Sequence, residues 1–289
     1  MMIGFVILHY QNIDVTNECI KYLKRLKDSA KIIIVDNCSP NGTGKILQNA
    51  YSNDNDITVI LNSSNCGFAA GNNIGFKIAR DELGCDVIIV MNSDVFIYDQ
   101  DFLKKVEREC INHSEAAILA VDIVSRYGGH QNPYRYHPIS TKKQKKIILR
   151  KRIGQLIYSI PVINEFILSK KPKSSTSKNV KKCVEEKRGI LPHGACVIYT
   201  KKWTENEDFC FLDGTFLFCE EEILYDYAMR MGYVIQYVPS IEVYHLEDAS
   251  QEADNKTLVN KKKMQLSCEI ESRKTLLRYR KEWRKHDNN

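Results

Sequence analysis

The chain has 289 residues, 43% of them hydrophobic and 27% charged, and carries a formal net charge of +6. This is the balance of a globular protein with room for one large α/β domain or two modest ones, and it excludes disordered, collagen-like and coiled-coil chains. Ten Cys occur singly, with no Cys-x-x-Cys pair, which excludes a disulfide scaffold or a zinc finger and suits a reducing interior.

The amino terminus runs straight into an apolar stretch, without the basic segment and cleavage site of a signal peptide. Ile3 to Leu8 is a short all-apolar run, as expected of a central parallel strand buried on both faces. Asp14 or Thr16 is placed to cap the next helix, whose Cys19, Ile20, Leu23 and Leu26 have helical spacing. Lys31 to Val35 is the second predicted strand and ends at Asp36-Asn37. Gly42 to Tyr51 reads as a helix, Ile57 to Leu61 as a strand, and Phe68 to Leu83 as a helix opened by a glycine-rich turn. Asp86 to Met91 is the fourth strand and ends at Asn92-Ser93-Asp94. Such alternation predicts a doubly wound parallel sheet, in which ligands bind beyond the carboxyl ends of the strands, where Asp36 and Asp94 both fall. Further on, Ala116 to Val124 and Gly189 to Thr200 read as strands. Phe216 to Met231 reads as a helix, Tyr233 to Val238 and Ile241 to His245 as short strands, and Asn255 to Lys285 as an exposed helix that either adds to the basic face or packs as a cap. The expected organisation is one domain over 1–250, a basic insertion at about 135–188, and a helical tail over 251–289.

The charge is concentrated in that insertion. Thr141 to Arg188 holds fifteen Lys/Arg against three acids, a local +12 that leaves the rest of the chain at −6. Its apolar centre, Ile153 to Leu168, is too short and too polar to span a bilayer. Basic flanks around an apolar segment suit the headgroup region of an anionic leaflet; a solvated excursion enclosing a buried helix is the other reading. Nucleic acid is disfavoured, because Tyr158 and Phe166 are too few for a stacking platform.

Two carboxylates ending parallel strands suit a nucleotide-sugar site. One can accept hydrogen bonds from base or ribose, and the other can hold a divalent cation against a diphosphate. An Asp that caps the following helix is the other reading. In Asn65-Cys66-Gly67-Phe68-Ala69-Ala70-Gly71-Asn72-Asn73, the glycines allow close backbone approach, and the helix start offers N–H groups to an anion. A tight strand–helix turn is the alternative.

Taken in order, Val6-Ile7-Leu8-His9-Tyr10, Val35-Asp36-Asn37, Asn65 to Asn73 and Met91-Asn92-Ser93-Asp94 resemble the family 2 inverting glycosyltransferases of GT-A fold, especially the rhamnosyltransferase-like, polysaccharide-building branch. Pro192-His193-Gly194-Ala195-Cys196 resembles that family's acceptor-side strand. Glu220-Glu221-Glu222-Ile223-Leu224 resembles its Glu-Asp helix, and Val243-Tyr244-His245 its late histidine. The resemblance implies donor contacts at His9, Tyr10, Asp36, Asn37, Asn65, Gly67, Asn72, Asn73, Asn92, Ser93 and Asp94. It implies acceptor contacts at His193, Gly194 and Ala195, and a Mg²⁺ or Mn²⁺ ion held by Asp94 and His245. Aligning Glu220-Glu221 on the family's Glu-Asp puts the catalytic base at Glu221, with Glu220 beside it. The sequence departs from the pattern twice: Asn92-Ser93-Asp94 keeps one carboxylate of the usual Asp-x-Asp, and the base is Glu rather than Asp. Three consecutive Glu in a first helical turn are also what the helix macrodipole favours.

The implied partners are a UDP- or dTDP-sugar, a glycan or polyprenyl-linked acceptor, an anionic membrane surface, and a second copy in a homodimer. The implied location is the cytoplasm, peripheral to the inner face of the plasma membrane. Two rivals stand beside this reading. A nucleotidyltransferase would need a glycine-rich basic loop after the first strand, which His9-Tyr10-Gln11-Asn12 lacks; a sugar-nucleotide-binding scaffold subunit would need only the site without turnover.

Overall fold

A computed structural model describes residues 1–160, 180–247 and 255–287. The insertion's apolar residues from 161 to 168, Phe166 among them, lie outside these. The sheet runs in the order β3-β2-β1-β4-β8-β6-β9-β5. The strands are β1 (Ile3–His9), β2 (Lys31–Asp36), β3 (Ile57–Leu61), β4 (Val87–Asn92), β5 (Val95–Phe96), β6 (Ala116–Ser125), β7 (Lys187–Arg188), β8 (Cys196–Tyr199) and β9 (Val234–His245). The four predicted β–α units form the parallel half, β3-β2-β1-β4. Beyond it the pairing is mixed: β8 is antiparallel to both β4 and β6, while β9 is parallel to β6 and antiparallel to β5 and β7.

The apolar run of β1 is buried on both faces, as its composition requires. Ile3, Phe5 and Ile7 pack with Cys19, Ile20 and Leu23 of α1 (Ile13–Leu23) and with Phe102, Leu103 and Val106 of α4 (Phe102–Asn112). Val6 faces the opposite layer, with Ala69 and Phe76 of α3 (Gly67–Lys77), Trp203 of α6 (Lys201–Thr204) and Leu224 of α7 (Glu220–Arg230). The cap of α1 is Asn12, whose side chain accepts from the Val15 N–H, rather than Asp14 or Thr16; Thr16 turns inward to His9 instead. Helix α3 continues, as expected, to Glu82, but its last turn, Ile78–Glu82, is the wider π type. The two short strands expected over 233–245 are one strand, β9, whose register against β6 shifts between Val121 and Asp122. Pro239, without an N–H to give the ladder, sits at the break.

The tail is not an exposed appendage. In α8 (Asn255–Asp287), Leu266, Ile270 and Leu276 are buried, and the helix packs on α5 (Thr141–Ile157) and α7. Among the described residues no helix is long and apolar enough to cross a membrane.

Register aligns the strand ends. His9 pairs with Asp36, Leu8 with Asn92, Met91 with Cys196, and Val95 with His245. One edge of the sheet therefore carries Asp36, Asn92 to Asp94, His193 to Ala195, and His245.

Candidate active site

A cavity of about 290 Å³ opens at that edge, lined by Asn92, His193, Gly194, Ala195, Leu217 and Glu220 to Glu222, with Phe68, Tyr134, Arg135 and Arg273 around it. The three glutamates at the start of α7 have different surroundings. Glu222 is buried and held by Arg135 Nη1 at 2.8 Å and Gln144 Nε2 at 2.5 Å. Glu220 is buried with Oε1 lacking a partner among the described residues. Glu221 is partly buried, and its Oε1 accepts the Gly194 N–H at 3.2 Å. Burial raises both the Glu220 and the Glu221 carboxyl above the usual range, and the charge of the adjacent glutamate adds to the effect on each.

This placement depends on an unusual turn. Phe218 and Cys219 both have left-handed backbone, at φ 78° and 69°, immediately before α7. Non-glycine residues rarely adopt that conformation unless the surroundings over-determine it. Here the preceding loop is held by its carbonyls. Ser272 Oγ donates to Leu217 O (2.7 Å), Thr275 Oγ1 to Gly214 O (2.9 Å), Tyr279 OH to Asp213 O (3.0 Å), and the Phe68 N–H to Phe216 O (2.7 Å).

At the other margin, His245 Nε2 lies 3.4 Å from Asp94 Oδ1. Gln131 fixes that geometry: its Nε2 donates to Glu247, so its Oε1 faces His245 Nδ1 at 2.9 Å. This bond sets the ring so that Nε2 and a carboxylate oxygen of Asp94 face one another, a nitrogen–oxygen pair of the kind a divalent cation accepts as ligands. Asp94 does not line the cavity but adjoins it through His193, whose ring stacks edge-on to His245 at 5.7 Å. Burial, with His245 beside it, pushes His193 down to about 3, against the opposing pull of Asp94, so His193 is neutral. Its Nδ1 accepts the Ala195 N–H at 3.2 Å. Among the described residues, the one group of three metal-capable side chains is Glu109, His113 and Glu186. It stands where α4 leads into β6, at the opposite end of the sheet.

Several residues expected to meet the donor are engaged within the fold. His9 is fully buried, with its two ring nitrogens bonded to Thr16 and Thr43, and burial lowers its pKa; it backs Asp36 at 4.0 Å instead of facing the cleft. Asn37 donates to Asn65 Oδ1 and Gly67 O. Three N–H groups at the helix start are also engaged: that of Cys66 goes to Asn37 Oδ1, that of Gly67 to Asn65 Oδ1 and that of Phe68 to Phe216 O. A Cβ on Gly67 would lie 2.6 Å from Phe216 O, so the close approach its glycine permits is to the protein's own loop. Gly71 likewise serves packing, against Leu8. Asn73 bonds Cys210, Phe211 and Asp213 and anchors that loop from below. Asn72 donates to Phe68 O and keeps Oδ1 without a partner among the described residues.

Asp36 remains at the strand end. It accepts the Ser39 N–H and lies so close to Gly44 that a Cβ there would fall 2.2 Å from Oδ2. Tyr10 is exposed beside it, and Asn92 and Ser93 are partly exposed at the cleft. Sequence reasoning missed Gln131, Tyr134, Arg135 and Arg273. None belongs to a motif, and they reach the site through loop 126–139 and the tail.

The profile of Glycosyl transferase family 2 matches residues 5–168. The Haloferax volcanii protein "Low-salt glycan biosynthesis hexosyltransferase Agl10" is 32% identical over 100 residues, which are 34% of this chain and 30% of that one. S. aureus TarS 1-349, solved in complex with UDP-GlcNAc, superposes with a TM-score of 0.55 at 15% identity, over 89% of this chain and 61% of that one. The mannosyltransferase PcManGT from Pyrobaculum calidifontis, solved with GDP-Man and Mn²⁺, gives a TM-score of 0.54 at 10% identity, over 86% and 58%. The chain thus matches under a third of the curated relative and about three fifths of each structural one.

Proposed function

Because the chain belongs to glycosyl transferase family 2 and carries its GT-A fold, we propose that it moves a sugar from a nucleotide diphosphate to a hydroxyl of a glycan or polyprenyl-linked acceptor, with inversion. The observation that carries this reading is the Glu221 carboxylate at the cavity wall, held by the Gly194 N–H while its neighbour Glu222 is tied up by Arg135 and Gln144. Glu221 takes the proton from the acceptor hydroxyl as that oxygen attacks the anomeric carbon from the face opposite the diphosphate. Its carboxyl is raised by burial, the direction that makes a carboxylate a better proton acceptor. Asp94 and His245 are the residues that would hold a divalent cation, the remaining ligands coming from diphosphate and water. When bound, the cation supplies Lewis-acid neutralisation of the charge growing on the leaving diphosphate. Asp36 receives the base or ribose, with Tyr10 beside it, and His193 to Ala195 face the acceptor. UDP or dTDP is the proposed nucleotide; the UDP-GlcNAc of TarS and the GDP-Man and Mn²⁺ of PcManGT support a nucleotide sugar and a divalent cation in general. The basic insertion supports an acceptor at the inner face of the plasma membrane.

The test is product stereochemistry. After a panel of UDP-, dTDP- and GDP-sugars has identified the donor by thermal stabilisation, NMR of the product should show the anomeric configuration opposite to the donor's. Retained configuration would remove the single displacement.

Gly194 gives a second expected result. A Cβ there would lie 2.5 Å from Glu221 Oε1 and 3.0 Å from its Cδ. The carboxylate end can swing away, so Gly194→Ala should leave the melting temperature nearly unchanged. Initial rates should nevertheless fall about 10- to 100-fold, the cost of displacing a reacting group by roughly 1 Å.

A further inference from the structure

Helix α5 of the insertion has two faces of opposite character. One is packed: Gln144 and Ile148 are buried, Gln155 donates to Ser267 at 2.7 Å, and Lys151 pairs with Glu269 at 2.6 Å, all toward α7 or α8. On the other, Leu149 (61% exposed), Ile153 (50%), Leu156 (69%) and Ile157 (37%) stand in solvent. Their spacing of four, three and one residues puts them within about 100° of arc on the side away from α8. Four neighbouring large aliphatic side chains left in water form a patch that a solitary soluble domain seldom carries.

Basic residues frame that patch. Lys142, Lys145 and Lys146 occupy the same side of the helix one to two turns earlier, and Arg150 and Arg152 flank the stripe on its two borders; all five are exposed. Among the described residues no acid pairs with any of them, whereas Lys151 on the packed face has Glu269. Unpartnered cations around an apolar stripe complement a surface that is anionic at its face and hydrocarbon just below it. We propose that the outer face of α5 lies flat on an anionic bilayer, with Leu149, Ile153, Leu156 and Ile157 entering the acyl boundary and the lysines and arginines meeting lipid phosphates.

This inference rests on the lipid-linked acceptor reading for its purpose, and it adds where the contact is made. The packed face of α5 reaches the site directly, since Gln144 donates to Glu222 at the start of the helix that carries Glu221. The helix on the bilayer and the helix bearing the carboxylate are thereby joined directly, through Gln144 and Glu222.

Sedimentation of the full chain with phosphatidylglycerol/phosphatidylcholine vesicles, against phosphatidylcholine alone, tests it without any nucleotide sugar. The wild type should bind only the anionic vesicles, and binding should weaken as salt is raised. Leu149→Glu/Leu156→Glu should lower the partition coefficient at least tenfold. Lys145→Ala/Lys146→Ala should lower it about fivefold per cation removed. Because these side chains are exposed, both variants should keep the wild-type melting temperature and the wild-type rate on a soluble acceptor. That last readout separates failure of the surface from failure of the transferase reading. Equal sedimentation of the wild type and the Leu149→Glu/Leu156→Glu variant would overturn the proposal. So would a stripe variant that instead converts a dimer to a monomer in analytical ultracentrifugation while the wild type ignores both vesicles.

Discussion

Glu221→Gln is expected to lower glycosyl transfer by about 10²- to 10⁴-fold, the usual contribution of a positioned general base, while the dissociation constant of the nucleotide sugar, measured by calorimetry, stays near the wild-type value. The amide keeps the size of the side chain and can still accept the Gly194 N–H through its oxygen, so fold and cavity survive and only proton acceptance is lost. Glu222→Gln should behave differently, because Glu222 sits between Arg135 and Gln144 and cannot turn to an acceptor without breaking both bonds; its loss should appear in thermal stability first. The pH profile gives an independent readout. Burial raises the Glu221 carboxyl, with the Glu222 charge adding to it and Arg135 opposing. The base works only when deprotonated, so activity is present above that raised pKa and is lost as pH falls through it. The acid limb of kcat/KM should therefore lie above the range of an ordinary glutamate, and the Gln variant's residual rate should lack it. Wild-type turnover by Glu221→Gln would remove this residue from the role.

Asp94→Ala is expected to reduce Mn²⁺-dependent transfer on the order of 10²- to 10³-fold, matching the few kcal/mol that a cation supplies to a leaving diphosphate. It should also abolish the rise in melting temperature that Mn²⁺ gives in the presence of nucleoside diphosphate. The reason is the economy of the site: within the Asn92-Ser93-Asp94 motif only Asp94 bears a carboxylate, and its partner His245 is held in one orientation by Gln131. Unchanged Mn²⁺ activation in the variant would place the cation elsewhere in the molecule.

The parallel half of the sheet was legible because each of its strands is a short apolar run ending in a polar residue, and period and punctuation agree there. Asp36 and Asp94 were legible for the same reason, as polar residues at the ends of apolar strands, whereas the glutamate cluster, in the first turn of α7, stood out through the family resemblance. Register among the three glutamates was not. It is decided by Arg135 and Gln144, which come from a loop and an insertion helix with no sequence signal tying them to residue 222. The glycine-rich turn left two readings open, a ligand approach and a tight strand–helix turn. Gly67 and Gly71 do mark close approaches, but the approaching atoms belong to Phe216 and Leu8, and a sequence does not reveal whether a glycine makes room for a ligand or for its own chain. The tail looked exposed because its charged residues outnumber its apolar ones, and of its two readings the capping helix holds, since Leu266, Ile270 and Leu276 seat it.

The loop ahead of α7 is fastened through the carbonyls of Asp213, Gly214, Phe216 and Leu217, so the bonds at Phe216 and Leu217 make no demand on their side chains. The side chains of Phe216 and Leu217 are left half in solvent, and Leu217 borders the cavity. Evolution or a protein engineer can therefore exchange those two side chains, and with Leu217 the shape of the cavity wall, while the turn that sets Glu221 against the Gly194 N–H stays where it is.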